Sequence, residues 1–278
     1  LPVETEAIIS HLEVKEKQEG LAPLFKFYLR LLRIQLKVEQ KLASRLVPSL
    51  TKEAINERIA GGTPLISFDE LALDESLLAA TFTEVVNAFA EYPELVGEIP
   101  GRLKEPGVVG GLLTKAIKAW FDGVDVPKLA LGEERDQLLG AIIHTTLKPS
   151  LVSHAKTVRG SIDQERWRRG YCPVCGGRPD FSYLEKERGS RWLVCARCDT
   201  EWLFQRLDCP FCRNQEQSKL GYFVDESGLY RLYVCDKCKR YLKAVDLRPA
   251  KEEVLLPLER LSTLDLDRQA KEQGYTDK

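Results

Sequence analysis

Eight cysteines carry the chemistry this chain can do. They form four Cys-x-x-Cys pairs, Cys172/Cys175, Cys195/Cys198, Cys209/Cys212 and Cys235/Cys238, inside one stretch of 67 residues, and no cysteine lies elsewhere. Two thiolates three positions apart on a tight turn can hold one tetrahedral ion together, and two such turns close an S4 site. Four turns therefore predict two metal centres with no ligand left over, at the spacing expected of zinc-type knuckles. Four thiolates suit zinc or a single rubredoxin-like iron, so both metals stay open. A closed S4 site has no free coordination position, which argues against a hydrolytic zinc.

The elements that must position these knuckles repeat. Each half opens with Cys-Pro-x-Cys (Cys172-Pro173, Cys209-Pro210) and closes with Val-Cys-x-x-Cys (Val194, Val234). Between the knuckles of the first half, Asp180–Lys186, a turn at Glu187–Ser190 and Arg191–Val194 read as strand, hairpin turn, strand. Lys219–Val224, Asp225–Gly228 and Tyr230–Val234 repeat that order, and Glu201–Phe204 and Tyr241–Val245 add a third short strand to each half. This is a duplicated unit of about forty residues. Adjacent pairing is predicted, with Cys172/Cys175 beside Cys195/Cys198 and Cys209/Cys212 beside Cys235/Cys238, because crossing the pairs would close longer loops. The intervals are 19 and 22 residues. A unit this small buries too little apolar area to fold alone, and a structural zinc supplies about 10–16 kcal/mol. Gly176 follows Cys175 and suits a turn with positive φ. Asp199, Arg213 and Lys239 stand at that place in the other knuckles, so only the first has the ideal form.

Residues 1–165 read as helical. Phe27, Leu31, Ile34, Val38 and Leu42 recur at steps of three and four within Leu24–Leu46. Lys26, Arg30, Arg33, Lys37 and Lys41 mark a solvated face of that helix, which Pro48 and Ser49 end. A second pattern runs from Asp74 to Ala90, and Pro93–Gly111 reads as a loop. Helices follow at Leu112–Phe121 and Glu133–Leu147, with Pro149 as a break before a further helix toward Arg159. His144 and His154 read as packed or surface histidines, since the cysteines supply every ligand. The tail after Pro249 reads as packed strand-to-helix material with a frayed end. The expected fold class is α+β: a helical domain at 1–165, metal ribbons at 166–206 and 207–250, and a tail at 251–278.

Composition excludes several functions. The 278 residues carry a formal net charge of −1. From Glu165 to Ala250, 17 Lys/Arg face 12 Asp/Glu. Eight thiolates and two divalent ions bring that excess down to about +1, which is no footprint for a phosphate backbone. Arg166, Arg168 and Arg169 fit a solvated linker as well as an acidic contact. The opening residues, rich in glutamate, do not read as a signal peptide, and no apolar run is long enough to span a bilayer. Reduced thiols then point to the cytoplasm. Thiol-redox chemistry fits poorly, because thioredoxin-type motifs start a helix in a βαβ unit. Trp192, Trp202, Tyr222 and Tyr230 read as ribbon-core aromatics rather than interface anchors.

The motifs resemble a known family. Trp167-x-x-Gly-Tyr-Cys-Pro-Val-Cys-Gly-Gly-x-Pro, Gly189-Ser-Arg-Trp-Leu-Val-Cys195-x-x-Cys198-x-x-x-Trp202, Cys209-x-x-Cys212 and Val-Cys235-Asp-x-Cys238-Lys-x-Tyr241-Leu-Lys look like the formate dehydrogenase accessory proteins of the FdhE type. The resemblance covers residues 167–243. It departs at Cys-Pro-Phe-Cys-Arg in the second opening knuckle and in the longer second interval. It implies a cytoplasmic maturation factor with rubredoxin-like modules, iron associated with the cysteine motifs, and the formate dehydrogenase catalytic subunit as partner. With no nucleophile, acid–base dyad or phosphate loop in the ribbons, the expected function is a non-enzymatic assembly chaperone. The alternative is a rubredoxin-like iron electron carrier acting in client activation.

Overall fold

The structure, a computed structural model, describes residues 4–44, 50–105, 111–123 and 136–277. Their contacts divide into two compact units, a helical one (4–44 and 66–154) and one that holds the cysteines (50–65 and 155–277).

In the helical unit, α1 (Thr5–Glu19) and α4 (Glu75–Ala90) both pack on α2 (Pro23–Ala43). Phe27, Ile34, Val38 and Leu42 are buried as their spacing predicts, and so are Leu29 and Leu32, because α2 has a neighbour on two sides. Phe27 meets Phe89 edge to face at 5.0 Å. The basic face of α2 is tied down: Arg33 pairs with Glu13 at 2.8 Å, Lys37 with Glu84 at 3.3 Å and Arg30 with Glu91 at 3.3 Å. Asp74 caps α4 by accepting from the Leu77 N–H. The described part of the expected loop at 93–111 contains the single turn α5 (Pro93–Val96) and a 3-10 turn at Gly101–Lys104. Next come α6 (Gly111–Asp122) and α7 (Asp136–Val158). Pro48, Ser49, residues 106–110 and the expected helix start at Glu133 lie outside the described residues.

Pro149 does not break α7, against the sequence expectation. A proline inside a helix forgoes one backbone bond and costs about 3 kcal/mol. Ile142, Ile143, Leu147 and Leu151 are buried on both sides of it, and keeping four such side chains from water outweighs that cost. His144 stacks on Trp120 and His154 Nδ1 lies 2.7 Å from the Ser150 carbonyl.

The cysteine-bearing unit is built on one six-stranded sheet in the order β3-β2-β1-β6-β5-β4. Its strands are β1 (Pro179–Leu184), β2 (Arg191–Cys195), β3 (Glu201–Phe204), β4 (Leu220–Val224), β5 (Tyr230–Cys235) and β6 (Arg240–Asp246). Each half is an antiparallel meander, and β1 and β6 join the halves in parallel, with Phe181 opposite Lys243 and Leu184 opposite Asp246. One sheet face packs under α8 (Leu256–Ser262) and α9 (Leu264–Glu272), where Leu232, Val234 and Tyr241 meet Leu266, Ala270 and Tyr275. The C-terminal end is not frayed as the sequence suggests. The Thr276 backbone exchanges hydrogen bonds with the start of β6, donating to the Lys239 carbonyl at 2.8 Å and accepting from the Tyr241 N–H at 3.2 Å.

The segment 50–65, within the expected helical domain 1–165, packs in this unit. Thr51 caps α3 (Lys52–Gly61), and the helix ends at Gly62 with φ of 73°. The Leu65 N–H then donates to the Pro173 carbonyl at 2.8 Å, and the Tyr171 hydroxyl donates to the Gly62 carbonyl at 2.7 Å. The first knuckle is thus held from outside its own module.

Candidate metal centres

The closing knuckles join strands, Cys195/Cys198 between β2 and β3 and Cys235/Cys238 between β5 and β6, while the opening knuckles precede β1 and β4. Their backbones share one design: the Gly176 N–H donates to the Cys172 carbonyl, Arg213 to Cys209 and Lys239 to Cys235, at 2.8–3.0 Å. The residue after the second cysteine is left-handed in all four, with φ of 70° at Gly176, 54° at Asp199, 59° at Arg213 and 55° at Lys239. The sequence expectation that only the glycine knuckle has the ideal form is corrected here. A side chain in this conformation costs about 1–2 kcal/mol, and three knuckles bear it because the turn must aim both sulfurs inward.

The four turns gather the cysteines into two groups, with the adjacent pairing expected from the duplicated unit. In the first, Cys172 and Cys198 Sγ are 3.6 Å apart and Cys175 and Cys195 Sγ 3.5 Å. In the second, Cys209–Cys238 and Cys212–Cys235 are each 3.7 Å apart. Disulfides are excluded, since bonded sulfurs lie about 2.05 Å apart. A tetrahedron with metal–sulfur bonds of about 2.3 Å has edges of about 3.8 Å, so both groups fit one tetrahedral ion. The same geometry accepts zinc or iron.

The two groups differ in surroundings. All four cysteines of the first are buried, whereas Cys212 and Cys238 of the second are only half-buried. Backbone N–H groups of Val174 and Arg197 point at Cys172 and Cys195 Sγ at 3.4 and 3.3 Å, and Thr200 Oγ1 lies 3.1 Å from Cys198 Sγ. Burial, then the neighbouring sulfurs, push the Cys172 thiol well above its ordinary pKa. Burial likewise pushes Cys209 up to about 11, partly offset by the backbone N–H groups of Cys212 and Phe211. At Cys212 burial acts upward, but it is outweighed by the Asn214 N–H and the sulfurs of Cys238, Cys209 and Cys235, and the pKa falls. Thiols protonated at neutral pH must release protons when a cation enters.

Among the aromatics singled out from sequence, Trp202 is fully buried and donates from Nε1 to the Arg169 carbonyl at 2.8 Å. Trp192 stacks on Tyr183, and the Tyr230 hydroxyl donates to Glu259. Tyr222 alone of the four departs from the core reading, at 53% exposed. Arg168 pairs with Glu165, and the Arg169 guanidinium lies over Trp167. Two side chains that sequence reasoning missed are Arg260, which reaches the first group from α8, and Arg191, buried beside the second. An arginine opening a strand carries no signal that it will be buried.

Fold and sites together define a protein with a helical leader and tandem four-cysteine ribbons fused into one sheet. Residues 171–206 match the family model described as FdhE, central domain. A protein FdhE homolog from Aquifex aeolicus (strain VF5) is 37% identical over 145 residues, 50% of this chain and 50% of that one. Relatives from Stutzerimonas stutzeri (strain A1501) and Escherichia coli O1:K1 / APEC are 33% and 35% identical over 40% and 39% of this chain. The matches span 37% and 35% of those two proteins, so the chain matches half or less of the length of these curated relatives. The crystal structure of the FdhE protein from Pseudomonas aeruginosa superposes with a TM-score of 0.60 at 21% identity, covering 98% of this chain and 91% of that one. Residues 171–206 are thus similar to an FdhE central domain, and the α+β fold is shared with that structure. Among the described residues no helix is long and apolar enough to cross a membrane.

Proposed function

We propose that this chain is a non-enzymatic accessory protein for the assembly of formate dehydrogenase, acting in the cytoplasm and binding the enzyme's catalytic subunit. In this reading Cys172, Cys175, Cys195 and Cys198 hold one ion in the module 166–206, and Cys209, Cys212, Cys235 and Cys238 hold another in the module 207–250. The observation that carries it is the pair of four-sulfur groups at tetrahedral spacing within a single sheet. When bound, each ion supplies cross-linking free energy rather than a reaction centre, because four thiolates leave it no open position. The chain's residues then present a rigid surface for a client. The FdhE relatives support the choice of client.

Anaerobic capture from the host tests this, with the chain as bait beside a variant in which Cys172, Cys175, Cys209 and Cys212 become serine. Recovery of a formate dehydrogenase catalytic subunit by the parent and its loss in the variant support the proposal. Stable metal without that subunit removes it. A second reading, a rubredoxin-like iron electron carrier, draws on the half-buried Cys212 and Cys238, which bring the second group near solvent. Reversible bleaching of a visible thiolate-to-iron band favours it, and a colourless zinc form that still activates client sinks it.

A further inference from the structure

A cavity of about 160 Å³ opens beside the second cysteine group. Four arginines line it, Arg191, Arg206, Arg231 and Arg240, together with Tyr222 and Tyr233. Asp208 is the one acidic residue on its wall, and its carboxylate accepts from Gln215 Nε2 at 2.9 Å. Arg231 pairs with Asp246 at 2.6 Å, while Arg191, Arg206 and Arg240 have no carboxylate partner among the described residues.

Arg191 is the unusual member. It is 3% exposed, with its guanidinium 4.6 Å above the Tyr233 ring. Its Nη1 donates to the Asp208 carbonyl at 3.3 Å and, at the 3.5 Å limit, to that of Arg206. Its Nε and Nη2 are buried with no hydrogen-bond partner. These two nitrogens form the side-on fork that meets a carboxylate or phosphate in two parallel bonds. The same unit shows that fork in use, where Arg248 Nε and Nη2 donate to Asp246 Oδ1 and Oδ2 at 2.8 and 2.6 Å. Arg191 has the fork and lacks the acid. Leaving buried charged donors unpaired is costly, and an entering anion removes that cost.

We infer that this cavity is an oxyanion site, taking a carboxylate or phosphate group on the Arg191 fork, with Arg206 and Arg240 adding charge. Its volume is close to the roughly 150 Å³ that accepts one benzene-sized guest, so the ligand is small or inserts only its anionic end. Tyr222, half exposed, marks the way in. The inference stands whether or not the client is formate dehydrogenase. A competing role for Arg191 is to balance the charge of Cys209 and Cys235, which share the wall.

Calorimetric titration of the zinc-loaded full chain with acetate and with inorganic phosphate, at constant ionic strength in chloride, separates these roles. Saturable binding of at least one is expected; acetate preference assigns a carboxylate and phosphate preference a phosphate. Arg191→Lys keeps the charge and loses the fork, so binding should weaken at least tenfold while zinc content stays at two ions. Arg206→Gln and Arg240→Gln, nearer solvent, should each weaken it several-fold and carry the test if Arg191→Lys does not fold. No saturable binding by the parent, or undiminished binding by the variants that fold, overturns the inference.

Discussion

Arg260, in α8, donates through Nη1 to Oδ1 of Asp199, the left-handed residue that follows Cys198. Its Nη2 reaches Asp180 Oδ1 and the Cys195 carbonyl, each at 2.9 Å. One guanidinium from beyond the second module therefore clamps the closing knuckle of the first. The Arg260 side chain is mostly buried, so its removal strands two acids and a carbonyl in a half-dry setting. Arg260→Ala should lower stability by about 2–3 kcal/mol in urea unfolding. It should also speed metal loss from the first site under chelator while leaving the second unchanged. Equal release rates from both sites would show that the clamp does not act on the knuckle.

Gly170 explains the glycine of the Trp-x-x-Gly-Tyr-Cys-Pro motif. A Cβ built there would stand 1.7 Å from the Pro210 carbonyl oxygen. The backbone entering the first knuckle runs directly against the opening knuckle of the second, and neither can yield as a side-chain end could. Gly170→Ala should cost more than about 3 kcal/mol and shift amide signals around Cys209 as well as Cys172. A perturbation confined to the first knuckle would mean that the close approach does not couple the two.

The four Cys-x-x-Cys pairs, their adjacent grouping and all six strands were legible because each half repeats one local pattern. Strand, turn residues and second strand lie within a few positions of each other between the knuckles. What joins the halves was not legible. The parallel pairing of Phe181 with Lys243 spans more than sixty residues, and no local motif specifies it. Burial of Arg191 and the reach of Arg260 to Asp199 depend on that long-range register, so composition could not reveal them. Likewise α3 has a cap at Thr51, but only the fold shows that the segment after it meets Pro173. Pro149 is locally a helix breaker, but the burial of Leu147 and Leu151 on either side of it holds α7 continuous.

Asp246 ties β5 to the segment after β6 within the second half. It lies opposite Leu184 across the parallel pair and accepts from Arg231 and Arg248. Arg248's hydrogen bonds, acting against burial, and the charge of Arg231 hold its carboxyl below the ordinary aspartate pKa. A depressed folded-state pKa gives stability that is present above the unfolded value, near pH 4, and lost as pH falls through the folded value. Asp246→Asn should therefore cost about 3 kcal/mol at pH 7, and the gap to the parent should close below about pH 4. A gap that stays constant down to pH 2 would exclude the ionised carboxylate as its source.

The left-handed knuckle residues offer a pair of opposed substitutions. Arg213 is exposed at φ of 59°, so Arg213→Gly relieves a strained backbone. Gly176 is at φ of 70° with Pro64 Cγ 3.1 Å from a built Cβ, so Gly176→Ala adds both strain and a tight contact. The first change should raise stability by up to about 1 kcal/mol, and the second should lower it by about 1–2 kcal/mol. Thermal melts of the metal-loaded chain should move up and down accordingly. Movement of both in the same direction would remove backbone strain as the governing factor.

Metal removal is the most general test of the scaffold. With no ion, each group holds four sulfur atoms within 4.8 Å of one another, either as thiols without adequate partners or as thiolates that repel. The halves are short meanders, and each has lost its own internal cross-link of about 10–16 kcal/mol. The packing of Phe27 on Phe89 and the ion pairs from α2 involve no cysteine. Complete chelation should therefore collapse amide protection across residues 171–248 while α1, α2 and α4 keep theirs in hydrogen exchange. The effect should be stronger at lower pH, because protons compete for the thiolates. Retained protection across the knuckles after complete metal removal would assign their stability to the sheet and its covering helices instead.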